Sequence, residues 1–172
     1  MPTRTARTAW TGSLRDGSGQ VELSSSKVGT YEVSFPKRAA EEADGTTSPE
    51  ELIAAAHSSC FAMSLSGLVS KAGGATHNLE VTADVSVGPD PAGGLRLTGI
   101  LLTVRAEVAG LDADGFAEVA AAAKTGCPVS KALTASRSCW TPLSSRRASA
   151  TRPAEPVRND NRVSASVSFV TG

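Results

Sequence analysis

Cysteine, histidine and aromatic residues are scarce in this chain, with three cysteines, two histidines and 4% aromatics among 172 residues. An odd number of widely spaced cysteines argues against a secreted disulfide framework. In a reducing cytoplasm, the expected location, paired cysteines are more often catalytic than structural. Net charge is absent too: 17 basic and 17 acidic residues cancel, so nothing global points to nucleic acid or a membrane surface. No uninterrupted apolar run approaches the roughly 18 residues of a membrane span. The opening MPTRTARTAWTG lacks an apolar h-region, so no secretory signal is expected. What remains is an ordinary globular composition, 40% hydrophobic and 20% charged, at a length that suits one domain.

The cancelled charge hides an asymmetry. Six of the 17 basic residues (Arg137, Arg146, Arg147, Arg152, Arg158 and Arg162) follow Ala135, against two of the 17 acids, Glu155 and Asp160. Residues 1–136 therefore carry −4 and residues 137–172 carry +4. Composition changes at the same point: Thr141–Gly172 holds three prolines, five arginines and six serines without a helical period. Residues 1–136 are expected to form the folded domain and 137–172 an atypical Ser/Arg/Pro-rich disordered tail. Within that tail only Val163–Val170 alternates as a strand would.

Along the first part, Thr5–Thr11, Gly19–Ser24 and Thr30–Phe35 read as short strands, and Pro36–Thr47 as a polar loop. Ser48 as N-cap, Pro49 at the first helical position and Glu51 completing a capping box mark a helix that stops at Gly73-Gly74. Small and apolar residues around most of its circumference predict a buried central helix. Asn78–Val87 and Leu95–Val108 alternate on either side of Pro89–Gly94, a hairpin. Asp112–Lys124 and Val129–Ala135 complete the order as two further helices. The pattern βββ-α-ββ-αα predicts an α+β fold with a largely antiparallel sheet.

Chemistry concentrates on few residues. Cys60 lies inside the long helix, where burial alone raises a thiol pKa and leaves it inert. Cys127 precedes Pro128 at a helix start, where backbone N–H groups favour an anion. His57, one turn before Cys60, reads as a proton shuttle, a metal ligand or a packing residue. Glu50 is ten residues before Cys60, about 15 Å along a helix, so any action on the thiol must pass through a group it grips, such as an arginine. A metal-binding or redox-sensing module built on His57, Cys60 and Cys127 is the competing reading. A structural zinc takes about four ligands, and the only other histidine, His77, lies beyond the Gly-Gly break.

Taken together, the segment from Gly45-Thr46-Thr47-Ser48-Pro49-Glu50-Glu51 to His57-Ser58-Ser59-Cys60 resembles the first-cysteine signature of the OsmC/Ohr family. Gly126-Cys127-Pro128-Val129-Ser130-Lys131-Ala132-Leu133 resembles the second. Trp10-Thr11-Gly12 and Phe35-Pro36-Lys37-Arg38 are similar to the OsmC branch, and the likeness runs in order over about residues 1–135. It implies an OsmC-like intertwined homodimer and a thiol peroxidase with no metal or organic cofactor. By the same likeness Cys60 is the peroxidatic thiol, Cys127 the resolving thiol, Arg38 the thiolate-stabilising guanidinium and Glu50 the carboxylate that holds it. The implied partners are a second copy of the chain, a peroxide and an external thiol or dithiol reductant, with no nucleic acid and no membrane. The family chain normally closes with one more strand, whereas here Arg137-Ser138-Cys139-Trp140 leads into the basic tail. Either that strand is lost or Val163–Val170 replaces it. Cys139 lies beyond the likeness and is expected to have no catalytic part.

Overall fold

The computed structural model describes residues 2–133 and the backbone of Arg162–Thr171. The chain divides into two compact units, Met1–Ile53 and Ala54–Gly172.

In the first unit β1 (Arg7–Thr11), β2 (Ser18–Glu22) and β3 (Thr30–Val33) form an antiparallel sheet in that order. The strand β3 ends earlier than its alternation suggests because Ser34 caps a short helix, α1 (Phe35–Arg38), accepting from the Lys37 N–H. The expected loop at 36–47 therefore begins with a helical turn, which carries Arg38. The chain then returns along β3, where Thr47 N–H donates to the Glu32 carbonyl at 2.9 Å. Ser48 Oγ accepts from the Glu51 N–H at 3.2 Å and starts α2 (Pro49–Lys71). The expected capping box forms only in part, because the Glu51 carboxylate accepts from Thr47 Oγ1 at 2.6 Å instead.

The second unit holds the rest of α2, then β4 (Ala75–Pro89), β5 (Leu95–Ala109), α3 (Ala113–Gly126), α4 (Pro128–Leu133) and β6 (Arg162–Thr171). Gly73, at φ +84°, closes α2, and Gly74 N–H reaches back to the Val69 carbonyl at 2.9 Å. The hairpin β4–β5 turns through Asp90–Gly94, where Gly93 and Gly94 both take positive φ. The strand β6 pairs antiparallel with β5, Ile100 opposite Thr171 through Ala109 opposite Arg162, so the sheet order is β4-β5-β6. The alternating segment of the basic tail thus supplies a third strand. Residues 134–161, including Cys139 and most of the expected tail, lie outside the described residues.

Alternation along β5 puts Ile100, Leu102, Val104, Ala106 and Val108 on one buried face. Leu102 to Val108 meet Phe61, Leu65 and Val69 of α2 and Phe116, Ala120 and Ala123 of α3 in one core. Asp112 fixes the start of α3 by accepting from the Gly115 N–H at 2.8 Å. The mixed helix and antiparallel-sheet class expected from the sequence is the one observed. Among the described residues it comprises four helices instead of three, and two three-stranded sheets.

Burial of α2 departs from expectation. His57, Phe61, Leu65 and Val69, spaced every four residues, are covered, whereas Met63 is 71% exposed. One layer of packing elements covers one side of a helix, and among the described residues the other side stays exposed. Averaged over 18 residues rather than read as an unbroken run, the hydropathy of α2 is 1.5, enough by length and composition to cross a membrane. A core helix meets the same criterion, and the covered stripe of α2 is part of the core.

Candidate active site

Two pairs of predicted residues come together, one in each unit. In the second unit Cys60, in the middle of α2, and Cys127, between α3 and α4, bring their Sγ atoms to 3.2 Å as free thiols. The position of Cys127 is fixed by its neighbours. Its N–H donates to the Ala123 carbonyl at 2.8 Å to close α3, and its carbonyl accepts from the Lys131 N–H at 3.0 Å to open α4. Cys127 is fully buried and Cys60 half-buried.

The electrostatics of the two sulfurs differ. Burial pushes the Cys60 thiol up and the neighbouring Cys127 adds to the rise, while the Val129 backbone N–H and the Ser64 hydroxyl only partly oppose it. Burial also pushes Cys127 up, but hydrogen bonds from the Ser130 N–H, Cys60, the Ser130 hydroxyl and the Val129 N–H together bring it below its ordinary value. The two shifts run in opposite directions, Cys60 upward and Cys127 downward, and each thiol acts on the other. A cation brought close to Cys60 would favour its charged form.

In the first unit α1 presents Arg38 and the first turn of α2 presents Glu50. The guanidinium forks onto the carboxylate: Nε lies 3.2 Å from Oε1 and 3.1 Å from Oε2, and Nη2 lies 2.6 Å from Oε1. The Arg38 hydrogen bond holds Glu50 below its usual range, against burial, and the same bond raises Arg38. Both partners are thus charged and mutually oriented. Beside them opens a cavity of about 370 Å³. Trp10, Leu14, Val21, Phe35 and Leu52 are among its walls, and Arg38 is the single charged residue among the described ones that line it. Of the apolar residues that follow Cys60 on α2, Phe61 is sealed in the core and Leu68 packs against it.

Of the three roles open to His57 in the sequence, the structure favours the buried ones: it is fully covered, with Nε2 2.8 Å from Ser130 Oγ. That bond directs one ring nitrogen to a hydroxyl. Among the described residues no group of three or more His, Cys, Asp or Glu side chains is placed to hold a metal ion. Ser130 carries one signal in the sequence, its position three residues after Cys127 in the first turn of a helix, and that signal is too weak to single it out.

Comparison with known proteins spans both cysteines. The family described as OsmC-like protein matches residues 42–141. Peroxiredoxin OsmC of Escherichia coli (strain K12) is 39% identical over 126 residues, covering 73% of this chain and 86% of that protein. An organic hydroperoxide resistance protein from Elizabethkingia anophelis superposes with a TM-score of 0.62 at 28% identity, over 77% of this chain and 88% of the other. The organic hydroperoxide resistance protein OhrB of Bacillus subtilis gives 0.58 at 29% identity, over 74% and 89%.

Proposed function

This chain belongs to the OsmC-like protein family, and from that premise we propose that it is a thiol-dependent peroxidase reducing organic hydroperoxides and hydrogen peroxide. The observation that carries the reading is the pair of free thiols 3.2 Å apart, one half-buried and one sealed. The more accessible sulfur meets the substrate, and the sealed one waits for it.

The Cys60 thiolate attacks the outer peroxide oxygen. An S–O bond forms, the O–O bond breaks, and the leaving alkoxide takes a proton to become an alcohol, leaving a Cys60 sulfenic acid. The Cys127 thiolate then attacks the Cys60 sulfur. An S–S bond forms, the S–O bond breaks, and hydroxide leaves as water. Two external thiols, or one dithiol, reduce the disulfide and restore both cysteines.

Arg38 supplies the cation that Cys60 needs, since a guanidinium cannot be titrated away at physiological pH. Glu50 fixes its fork before substrate arrives, and the same charge stabilises the departing alkoxide. The apolar cavity at Arg38 suits the organic group of a hydroperoxide. The bare side of α2, with Ala55, Ser59, Met63 and Gly67 exposed, is the surface proposed to be covered by a second copy in a homodimer. A cytoplasmic location would keep the thiols reduced between turnovers, in protection against peroxide stress.

The competing reading, a metal-binding or redox-sensing module on His57, Cys60 and Cys127, meets the difficulty that His57 Nε2 already engages Ser130. Measuring peroxide consumption with a dithiol, with and without EDTA, separates the two. The peroxidase turns over many equivalents at the same rate in both, whereas a metal-binding module shows no turnover in either and a sensor stops after one equivalent.

A further inference from the structure

His57 is a fully buried polar side chain for which the peroxidase cycle has no use. Burial holds it below its ordinary pKa, so the ring is neutral and carries one N–H. Two tautomers are possible, and the surroundings choose between them. Among the described residues Nδ1 is buried without a hydrogen-bond partner, while Nε2 lies 2.8 Å from Ser130 Oγ. A proton on Nδ1 would leave a buried N–H donor unpaired, whereas a proton on Nε2 leaves only a ring lone pair there. Nε2–H therefore donates to Ser130 Oγ. With its oxygen accepting from His57, the Ser130 hydroxyl can aim its own proton toward Cys127, which opens the helical turn that carries Ser130, and the Ser130 hydroxyl and N–H both favour the charged form of that thiol.

We infer that His57 is a positioning residue for disulfide closure: through Nε2–H to Ser130 Oγ, and Ser130 O–H to Cys127 Sγ, it holds the resolving thiol ready to attack Cys60. This rests on the proposed two-cysteine peroxidase cycle. The relay acts after the peroxide step, once Cys60 carries a sulfenic oxygen and Cys127 must bear the negative charge. The Cys127 thiolate attacks Cys60 Sγ, the S–S bond forms as the S–O bond breaks, and the hydroxide that leaves takes up the proton Cys127 has shed. His57 begins and ends the step neutral with its proton on Nε2. It orients a donor and carries no proton away. The helix α2 thus provides both the attacking thiol, Cys60, and, one turn earlier, the residue that prepares its partner.

The test is a single turnover without reductant, in which reduced protein meets one equivalent of cumene hydroperoxide and is quenched at intervals. Mass spectrometry then follows the Cys60 sulfenic acid and the Cys60–Cys127 disulfide separately. In Ser130→Ala and His57→Phe, disulfide closure should slow by about ten- to hundredfold, the range of a hydrogen bond to an ionised group. Sulfenic acid formation should not slow, because the relay favours charge on Cys127 and not on Cys60. His57→Gln, whose amide N–H can replace Nε2–H, should recover most of the lost rate.

A second readout uses the Cys60→Ser background, where the alkylation rate of Cys127 against pH should shift upward by about one unit in Ser130→Ala. Unchanged closure in both Ser130→Ala and His57→Phe overturns the inference while leaving the peroxidase intact. So does a His57→Phe defect shared equally by both steps while Ser130→Ala closes normally. If the wild-type protein forms no Cys60–Cys127 disulfide, the two-cysteine cycle itself fails. The alkylation profile then decides the relay alone: an upward shift supports it, and no shift ends it.

Discussion

Separating Arg38 from Glu50 has a cost that can be worked out from their geometry. Exposed ion pairs contribute about 0–1 kcal/mol, and stripping one partner from a fully buried pair costs about 3–5 kcal/mol. This pair lies between those limits, with side-chain exposures of 28% for Arg38 and 11% for Glu50 and a fork of three N–O contacts no longer than 3.2 Å. Glu50→Ala leaves a guanidinium that regains water, for a cost of about 1–2 kcal/mol. Arg38→Ala strands the better-buried carboxylate and should cost about 2–3 kcal/mol. The double variant should then show a coupling of about 1–2 kcal/mol. Urea unfolding of all four proteins at one concentration measures it, provided the slopes agree. The sign with pH follows from Glu50, whose folded pKa is depressed below its ordinary 4.5. The stabilisation is present above that value and is lost as pH falls through the folded pKa. A coupling under about 0.5 kcal/mol at pH 7, within the error of additivity, would refute the reasoning. A coupling that persisted undiminished well below the folded pKa would refute it equally.

Further outcomes follow from the site. Cys127→Ser should consume one equivalent of peroxide and stop, with Cys60 trapped as a sulfenic acid by dimedone; multiple turnovers with a dithiol at the wild-type rate would exclude Cys127 as the resolving thiol. Arg38→Ala should move the Cys60 alkylation profile to higher pH, with Arg38→Lys restoring part of the shift and Glu50→Gln milder than Arg38→Ala. An identical profile in wild type and Arg38→Ala would remove Arg38 from the site. Met63→Asp puts a charge on the bare side of α2 and should shift a dimer to monomer in light scattering, whereas an unchanged mass would place the interface elsewhere.

Local chemistry made much of the fold legible. Ser48-Pro49 announced α2 and Gly73 ended it, and strict alternation placed β4 and β5 to within a few residues. The residues of β6 showed their alternation even inside a segment of otherwise alien composition. The short α1 was hidden because four residues carry too little periodicity to compete with the polar run that follows them. The bare side of α2 was equally hidden: composition counts apolar residues around a helix but cannot tell which are covered within one chain. At the site, a reader of residues alone sees two cysteines in suggestive settings, and family resemblance joined them. The contact between His57 and Ser130 spans 73 positions, and no local signal links the two. Such a bond is set by how α2 and α4 pack, which only the three-dimensional fold records.

If the chain is a two-cysteine peroxidase, peroxide must drive Cys60 and Cys127 into one disulfide, and peptide mapping of the full-length protein tests this directly. Reduced protein is mixed with one equivalent of cumene hydroperoxide, quenched in acid, alkylated and digested without reductant. The expected result is stoichiometric loss of peroxide, a linked Cys60–Cys127 peptide, and Cys139 recovered in its alkylated form. A Cys60–Cys139 bridge, or a protein left with all three thiols alkylated and the peroxide unspent, would contradict it.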